Sequence, residues 1–315
     1  MPSKKILVIM GPTASGKTRM AVELAKAHNG EVVSADSMQI YRRMDIGTAK
    51  PTAEEMDGVP HHMIDVADPE EDFSVARYVE MASACVDDIL ARGKLPIVAG
   101  GTGLYVDSLL SGRTFAAFSP DSSLRKELEA ELAERGGEAM LAELSRVDPE
   151  AAARLHPNDH KRIVRALEVY RSTGKTISEH NRETRALPPR YEALTIGLNF
   201  QDRADLWARI DARVDQMAAA GLEREVRELL SSGLSPRCTA MQAIGYKEFV
   251  AAVEGTMTWR EAEELVKLRS RQYAKRQLTW FRRNPEVHWL LWEKNPNFGN
   301  ARQRSTELLE EFGLG

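Results

Sequence analysis

Apolar and polar positions change their rhythm along this chain. In the first hundred residues, short runs at Ile6–Met10, Glu31–Ser34, His62–Val66 and Leu95–Ala99 read as strands. Between some of them, at about 17–28 and 74–92, apolar residues recur at helical spacing. Such alternation predicts a parallel sheet with right-handed crossovers. From about 112 to 190 the strand signal disappears, and helical patterns follow one another at about 122–135, 137–145, 158–173 and 176–182. Ser119-Pro120-Asp121 reads as the cap of the first and Gly136-Gly137 as its end; Pro157-Asn158-Asp159 opens the third and Gly174 closes it. Leu187-Pro188-Pro189 marks the return, and Ala193–Leu198 reads as another core strand. The rest is mainly helix at about 203–232, 240–253 and 258–283, with Val287–Trp292 as an edge strand. The organisation expected is an α/β core from 1–111 and 191–315, interrupted by a helical insertion over 112–190.

The first strand runs into Gly11-Pro12-Thr13-Ala14-Ser15-Gly16-Lys17-Thr18, the G-x-x-x-x-G-K-[ST] phosphate loop, and a helix follows. The core is therefore expected to be P-loop NTPase-like. Loop N–H groups and the helix N-terminus would face one anion. Lys17 would reach the terminal phosphate, and the Thr18 hydroxyl would help hold Mg²⁺. The loop announces a bound di- or triphosphate and leaves the chemistry open. Ligands of parallel sheets sit beyond the C-terminal strand ends. Two further segments leave such ends, Ser34-Ala35-Asp36-Ser37 and Gly100-Gly101-Thr102-Gly103, so three should converge on one crevice.

Asp36 fits three roles equally: a Walker-type magnesium carboxylate, a general base, or a cap for the next turn. Gln39 offers an amide able to read a base edge. The Gly100–Gly103 turn permits close approach to a ligand, or is simply a tight crossover; Thr102 carries the hydroxyl of interest. Arg213, on a predicted helix, reads by itself as a surface ion-pair partner. Arg269, Gln272 and Arg276 share a helical face suited to phosphates, or form a solvated basic face, with Tyr273, Trp280 and Phe281 packing elsewhere.

Net charge is −4 over 315 residues, so the chain is not basic throughout. Yet residues 151–190 hold nine basic residues against four acids, and 265–285 hold seven basic residues and no acid. That asymmetry suggests a polyanion with a defined footprint. Two distant cysteines, Cys85 and Cys238, form neither a disulfide framework nor a zinc motif, and a reducing cytoplasm suits them. No apolar stretch approaches the roughly 20 residues of a membrane helix, and the N-terminal run lacks a signal-peptide cleavage site.

The ordered series of the phosphate loop, Ser34–Tyr41, Asp45–Pro51, His61–Asp65, Gly100–Tyr105, Arg162–Glu168, Arg213, Gly221–Val226, Ala243–Lys247 and Lys275–Gln277 resembles the bacterial tRNA dimethylallyltransferase (isopentenyltransferase) family over nearly the whole chain. The resemblance implies transfer of a dimethylallyl group from dimethylallyl diphosphate to the exocyclic N6 amine of the adenosine 3′ to certain tRNA anticodons, with pyrophosphate leaving. It implies that Gly11–Thr18 cradle the diphosphate, that Thr13, Asp36 and Arg213 are catalytic, and that Mg²⁺ sits on Thr18. Contacts to tRNA would come from Asp36, Ser37, Met38, Gln39, Thr102 and Leu124. Lys161, Arg162, Ile163, Val164 and Arg165 would add to these, as would Gln242, Ala243, Ile244, Gly245, Tyr246, Lys247, Lys275 and Arg276. The insertion would grip the anticodon stem, and no obligate protein partner is implied. Many relatives carry Arg-Cys where this chain has Gln242-Ala243, which leaves that base contact open. Rival readings are a prenyltransferase of free adenine nucleotides, a phosphate-loop kinase, and a nucleotide-switched RNA-binding module. The first should lack the basic insertion, the second would carry a short Arg-rich lid, and the third has no use for Asp36 with Arg213.

Overall fold

The structure, a computed structural model, describes residues 4–112, 122–185 and 188–314. The cap expected at Ser119-Pro120-Asp121 and the residue Leu187 lie outside them. The chain divides into two compact units, one of Met1–Leu110 with Arg190–Gly315 and one of Ser111–Pro189.

The first unit is built on six strands: β1 (Lys5–Met10), β2 (Gly30–Ser34), β3 (His61–His62), β4 (Leu95–Gly100), β5 (Glu192–Phe200) and β6 (His288–Trp292). They lie in the order β3-β2-β4-β1-β5-β6, and every pairing is parallel. Ile6, Leu7, Val8 and Ile9 are all fully buried, as a strand covered by helices on both faces requires. β1 lies between β4 and β5, with Leu7 opposite both Ile97 and Leu194. The chain winds one way from β1 to β2 and the other way from β5 to β6. The loop after β1 therefore opens at the reversal of winding, where crevices form in such sheets.

Three elements differ from expectation. β3 stops at His62 instead of running to Val66, because Met63 (φ 63°) and Asp65 (φ 56°) adopt left-handed backbone that cannot extend a strand. The helix expected over 203–232 is two, Arg203–Ala220 and Leu222–Ser231, broken by Gly221 at φ 103°. The pattern over 240–253 begins as a 3₁₀ turn, Ala240–Gln242, and becomes α-helical only at Tyr246–Val253. A further helix, Phe298–Phe312, was not expected; it buries Ala301, Ser305, Leu308 and Leu309 and packs against helix Lys17–Ala27.

The second unit contains helices Ser122–Val147, Pro149–Ala152, His160–Thr173 and Ile177–Arg185. The first is kinked at Gly136 (φ 80°), between the two expected helices. Leu128, Met140, Leu144, Ile163, Val164 and Leu167 form the unit's core. Asp148 ties it together, accepting from the backbone N–H of Ala151 and of Ser178, each at 3.0 Å.

Candidate active site

The phosphate loop is braced from behind. A Cβ on Gly11 would lie 2.4 Å from the Leu198 carbonyl oxygen, so β5 passes too close for any side chain there. Gly16 turns the chain into its helix at φ 88°, and a Cβ there would lie 2.8 Å from the Phe298 ring. The Trp292 indole donates to the Ser15 carbonyl at 2.8 Å, with its ring 4.9 Å from that of Phe298. The end of β6 and the C-terminal helix thus fix the outside of the loop. On the inside, Lys17 Nζ donates to the Pro12 carbonyl at 2.7 Å.

In front of the loop lies a cavity of about 380 Å³. Thr13, Lys17, Thr18, Asp36 and Arg213 contribute to its lining, and Ile210, Val214, Met217, Ile244 and Val266 supply apolar wall. Asp36 Oδ1 accepts from the N–H of Met38 at 2.9 Å and of Gln39 at 3.4 Å, so it does cap the turn. Oδ2 has no hydrogen-bond donor among the described residues. The Thr102 hydroxyl accepts from the Ser37 N–H at 3.0 Å and holds the Asp36 turn against the second glycine loop.

Helix Trp259–Phe281 ties the loops together. The Gln277 side-chain oxygen accepts from the Thr13 N–H at 3.1 Å, while its amide nitrogen donates to the Gly101 carbonyl at 2.9 Å. One helical turn earlier, Tyr273 lines the same cavity; burial, then the charge of Asp36, push its phenol up to about 12. Arg213 Nη2 donates to the Ala49 carbonyl at 3.4 Å. Burial lowers the Arg213 pKa, and Glu55 and Asp36 act against that shift; a guanidinium keeps its charge regardless.

The model of the IPP transferase family matches residues 39–284 of this chain. The chain belongs to the IPP transferase family. It is 50% identical over 285 residues to the tRNA dimethylallyltransferase of Acetivibrio thermocellus, covering 90% of this chain and 91% of the relative. It is also 50% identical to the enzyme of that name from Geobacter sulfurreducens, covering 98% and 97%. Among solved structures, the full-length tRNA isopentenylpyrophosphate transferase of Bacillus halodurans superposes with a TM-score of 0.73 at 44% identity, covering 98% and 97%. A eukaryotic dimethylallyltransferase acting on tRNA gives 0.84 at 32% identity, covering 98% of this chain and 79% of that one. An α/β core on one parallel sheet, as expected, is the fold of this family member.

The remaining residues singled out in this transferase divide by burial. Ser37, Met38, Gln39, Gln242, Ala243, Ile244 and Arg276 line the cavity. The Gln39 amide is committed within the protein, accepting from Ser34 Oγ at 3.2 Å and donating to the Thr48 and Ala49 carbonyls at 3.3 and 3.1 Å. Ile163 and Val164, expected among the contact residues, have both side chains buried in the core of the helical unit. Tyr246 is likewise fully buried, with its hydroxyl on Glu225 at 2.6 Å. Gly245 is buried too, and Leu124 packs half-buried against the helical core.

The basic stretch 151–190 is also less basic in space than in sequence. Arg154 and Arg182 pair with Glu150, Arg171 with Glu131 and Glu143, Lys175 with Glu183, and Arg190 with Asp87. Most of these acids lie outside the counted window. Arg165 pairs with buried Glu168 at 2.9 Å. Lys161 and Arg162 are exposed, with no carboxylate partner among the described residues. On helix Trp259–Phe281, Lys267 pairs with Asp215 and Arg271 with Asp211, while Lys275 and Arg276 are exposed. From the sequence Tyr273 reads only as a packing residue, and the Gln277 clamp is not visible there. Their position was implicit, because an outward face through 269, 272 and 276 turns 266, 270, 273 and 277 inward.

Lys17 carries the electrostatic signature of the site. Burial first, then the nearby Arg213 cation, push its pKa down to about 7, with Asp36 pulling the other way. An arriving diphosphate would restore the ordinary lysine value, so binding takes up a proton wherever the free site has lost it. Calorimetry of pyrophosphate binding in buffers of different ionisation heat is expected to show uptake approaching one proton at about pH 8–9 and none at about pH 6. Lys17→Met should abolish the uptake; unchanged uptake would assign the titration elsewhere.

Proposed function

We propose that this chain transfers a dimethylallyl group from dimethylallyl diphosphate to the N6 amine of the adenosine 3′ to the anticodon of certain tRNAs, releasing pyrophosphate. The observation that carries the reading is the meeting of Lys17, Arg213 and Asp36 in one cavity in front of a phosphate loop. Two cations suit a departing diphosphate, and a carboxylate suits an amine that must lose a proton. Family membership and the relatives' names point the same way.

In this reading N6 attacks C1 of the prenyl group as the C1–O bond to the diphosphate breaks. Asp36 accepts the N6 proton at its free Oδ2 while Oδ1 holds the turn. Lys17, Arg213 and the loop N–H groups stabilise charge growing on the leaving group, and the Thr13 hydroxyl helps orient it. The apolar wall suits a five-carbon chain and excludes water from an allylic carbon that acquires cationic character. The hydroxyl oxygen of Thr18, a hard donor in the cavity lining, fits Mg²⁺, which takes few protein ligands beside phosphate oxygens. When bound, that ion would neutralise diphosphate charge. Among the described residues no cluster of three or more His, Cys, Asp or Glu is placed to hold a metal ion.

An adenine stacked in an anticodon loop must leave its stack to reach such a cavity. Exposed Lys275 and Arg276, and on the helical unit Lys161 and Arg162, are the cations suited to RNA phosphates. Among the described residues no helix is long and apolar enough to cross a membrane, and a cytoplasmic site of action accords with a tRNA substrate.

The decisive assay incubates the protein with radiolabelled dimethylallyl diphosphate, bulk tRNA and Mg²⁺, with ATP and AMP as competing acceptors. Label should enter RNA; label in free nucleotide would replace the acceptor in this reading. Replacing Lys161 and Arg162 by glutamine should weaken tRNA binding. It should also flatten the log–log salt dependence by roughly 0.7–0.9 per lost phosphate contact. An unaltered slope removes those residues from the footprint. Arg165 is left intact in this test, since its loss would strand buried Glu168.

A further inference from the structure

Glu225 is a buried carboxylate that the chemistry above does not use. It sits in the first turn of helix Leu222–Ser231, about 9% exposed. No cation pairs with it among the described residues. Instead it accepts from three consecutive backbone N–H groups: Oε2 from Asp45 at 2.9 Å and Ile46 at 2.8 Å, and Oε1 from Gly47 at 3.1 Å. The Tyr246 hydroxyl donates to Oε1 at 2.6 Å. A desolvated anion is tolerated here because four donors satisfy it, and charge-assisted bonds of this kind are strong and directional. Gly47 is held from its other side by the Tyr246 ring, which a Cβ there would approach to 2.4 Å.

The segment so clamped reaches the cavity. Gly47, Thr48 and Ala49 belong to its lining. Ala49 adopts left-handed backbone (φ 49°), and its carbonyl accepts from Arg213 Nη2 and from the Gln39 amide. A continuous chain of contacts thus runs from Glu225, through three backbone N–H groups and one strained carbonyl, to the guanidinium facing Lys17 and Asp36. The clamp's effect is specific in direction: loosening residues 45–47 frees the carbonyl that aims Arg213.

We propose that Glu225, seconded by Tyr246, is a positioning residue for prenyl transfer: it fixes the 45–49 turn so that the Ala49 carbonyl holds the Arg213 guanidinium toward the leaving group. This rests on the reading of the cavity given above. Glu225 never touches substrate; it acts through Arg213. Glu225→Gln keeps the shape but must turn an amide N–H₂ toward backbone N–H groups, so the clamp cannot close as before.

The test is a double-substitution cycle read by the single-turnover rate of prenyl transfer to tRNA at saturating donor, with the tRNA Kd measured alongside. Glu225→Gln is expected to lower the rate about 10-fold or more with the tRNA Kd within about 2-fold. In an Arg213→Ala background the same substitution should change the rate by less than about 3-fold, because the group it positions is already gone. Equal losses in both backgrounds would mark a general structural role and overturn the proposal, as would a wild-type rate for Glu225→Gln. Should Glu225→Gln not fold, Tyr246→Phe removes one of the four bonds and keeps the ring. It is expected to lower the rate about 3-fold in the wild type and not at all without Arg213; a loss that persists without Arg213, or no loss in either, overturns the proposal. Failure of the wild-type protein to label tRNA would instead sink the functional reading beneath it, so the two failures are separable.

Discussion

Asp36→Ala is expected to bind tRNA within about 3-fold of the wild type and to transfer the prenyl group about 10²–10⁴-fold more slowly, the range of a lost general base. The structure makes the experiment sharper than the alanine alone. Asp36 Oδ1 already caps its turn through the Met38 N–H, so alanine removes a cap and a base together. Asp36→Asn separates them. Its side-chain oxygen can still accept from Met38, while its amide cannot take a proton from N6. If the base is what matters, asparagine and alanine should be equally slow. If the cap is what matters, asparagine should return most of the rate, and near-normal turnover in Asp36→Asn would remove Asp36 from the chemistry. The alanine variant's tRNA affinity is the control, since a collapsed turn would also disturb Ser37 and its bond to Thr102.

These two faces of Asp36 show how far the sequence could be read. The parallel sheet was legible because Ile6–Met10 and its partners are near-continuous apolar runs between amphipathic helices, a pattern with few alternative folds. The phosphate loop was legible because its glycines and its strand–helix context are local. That Asp36 follows a strand end was legible too, but one residue type served three roles, and only the geometry shows one oxygen engaged in the turn and the other without a hydrogen-bond donor among the described residues. The C-terminal helix escaped notice because Phe298–Phe312 is mostly polar, with a narrow apolar stripe whose partner, helix Lys17–Ala27, lies almost three hundred residues earlier. The Trp292–Phe298 brace and the Gln277 clamp are long-range contacts of the same kind. Glu225 was an unremarkable acid on an amphipathic helix until folding brought three N–H groups to it.

Charge was the least transferable quantity. Counting within 151–190 overlooks Glu131, Glu143 and Glu150, which lie just ahead of the window and neutralise Arg154, Arg171 and Arg182. A window of sequence is not a patch of surface, because helices fold antiparallel and place distant acids beside local bases. Ile163 and Val164 illustrate the converse. They are neighbours of Lys161, Arg162 and Arg165 in sequence, but each step along a helix turns the side chain by about 100°, and theirs face the core.

Arg213→Ala is expected to cost about 10²–10³-fold in single-turnover rate, the scale of removing one preorganised donor from a charged transition state, with tRNA affinity changed by no more than about 3-fold. The asymmetry follows from its place. Arg213 is half-buried beside Lys17 and Asp36 with its guanidinium on the Ala49 carbonyl, where in the proposed reading its charge would meet the diphosphate and not the RNA backbone. Losses of equal size in rate and tRNA affinity would make it an RNA contact instead. Arg213→Lys should recover little, since a point charge on a flexible stem loses the planar fork that holds Ala49 and a phosphate oxygen together. A second signature must accompany the slow rate if the assignment is right. Arg213 is one of the groups that depress Lys17, so its removal should let the Lys17 pKa rise above about 7. The onset of proton uptake on pyrophosphate binding should then move to higher pH in Arg213→Ala and remain absent in Lys17→Met. A rate loss without that movement would mean that the two cations do not face the same anion, and leaving-group stabilisation would have to be reassigned to the loop and Lys17 alone.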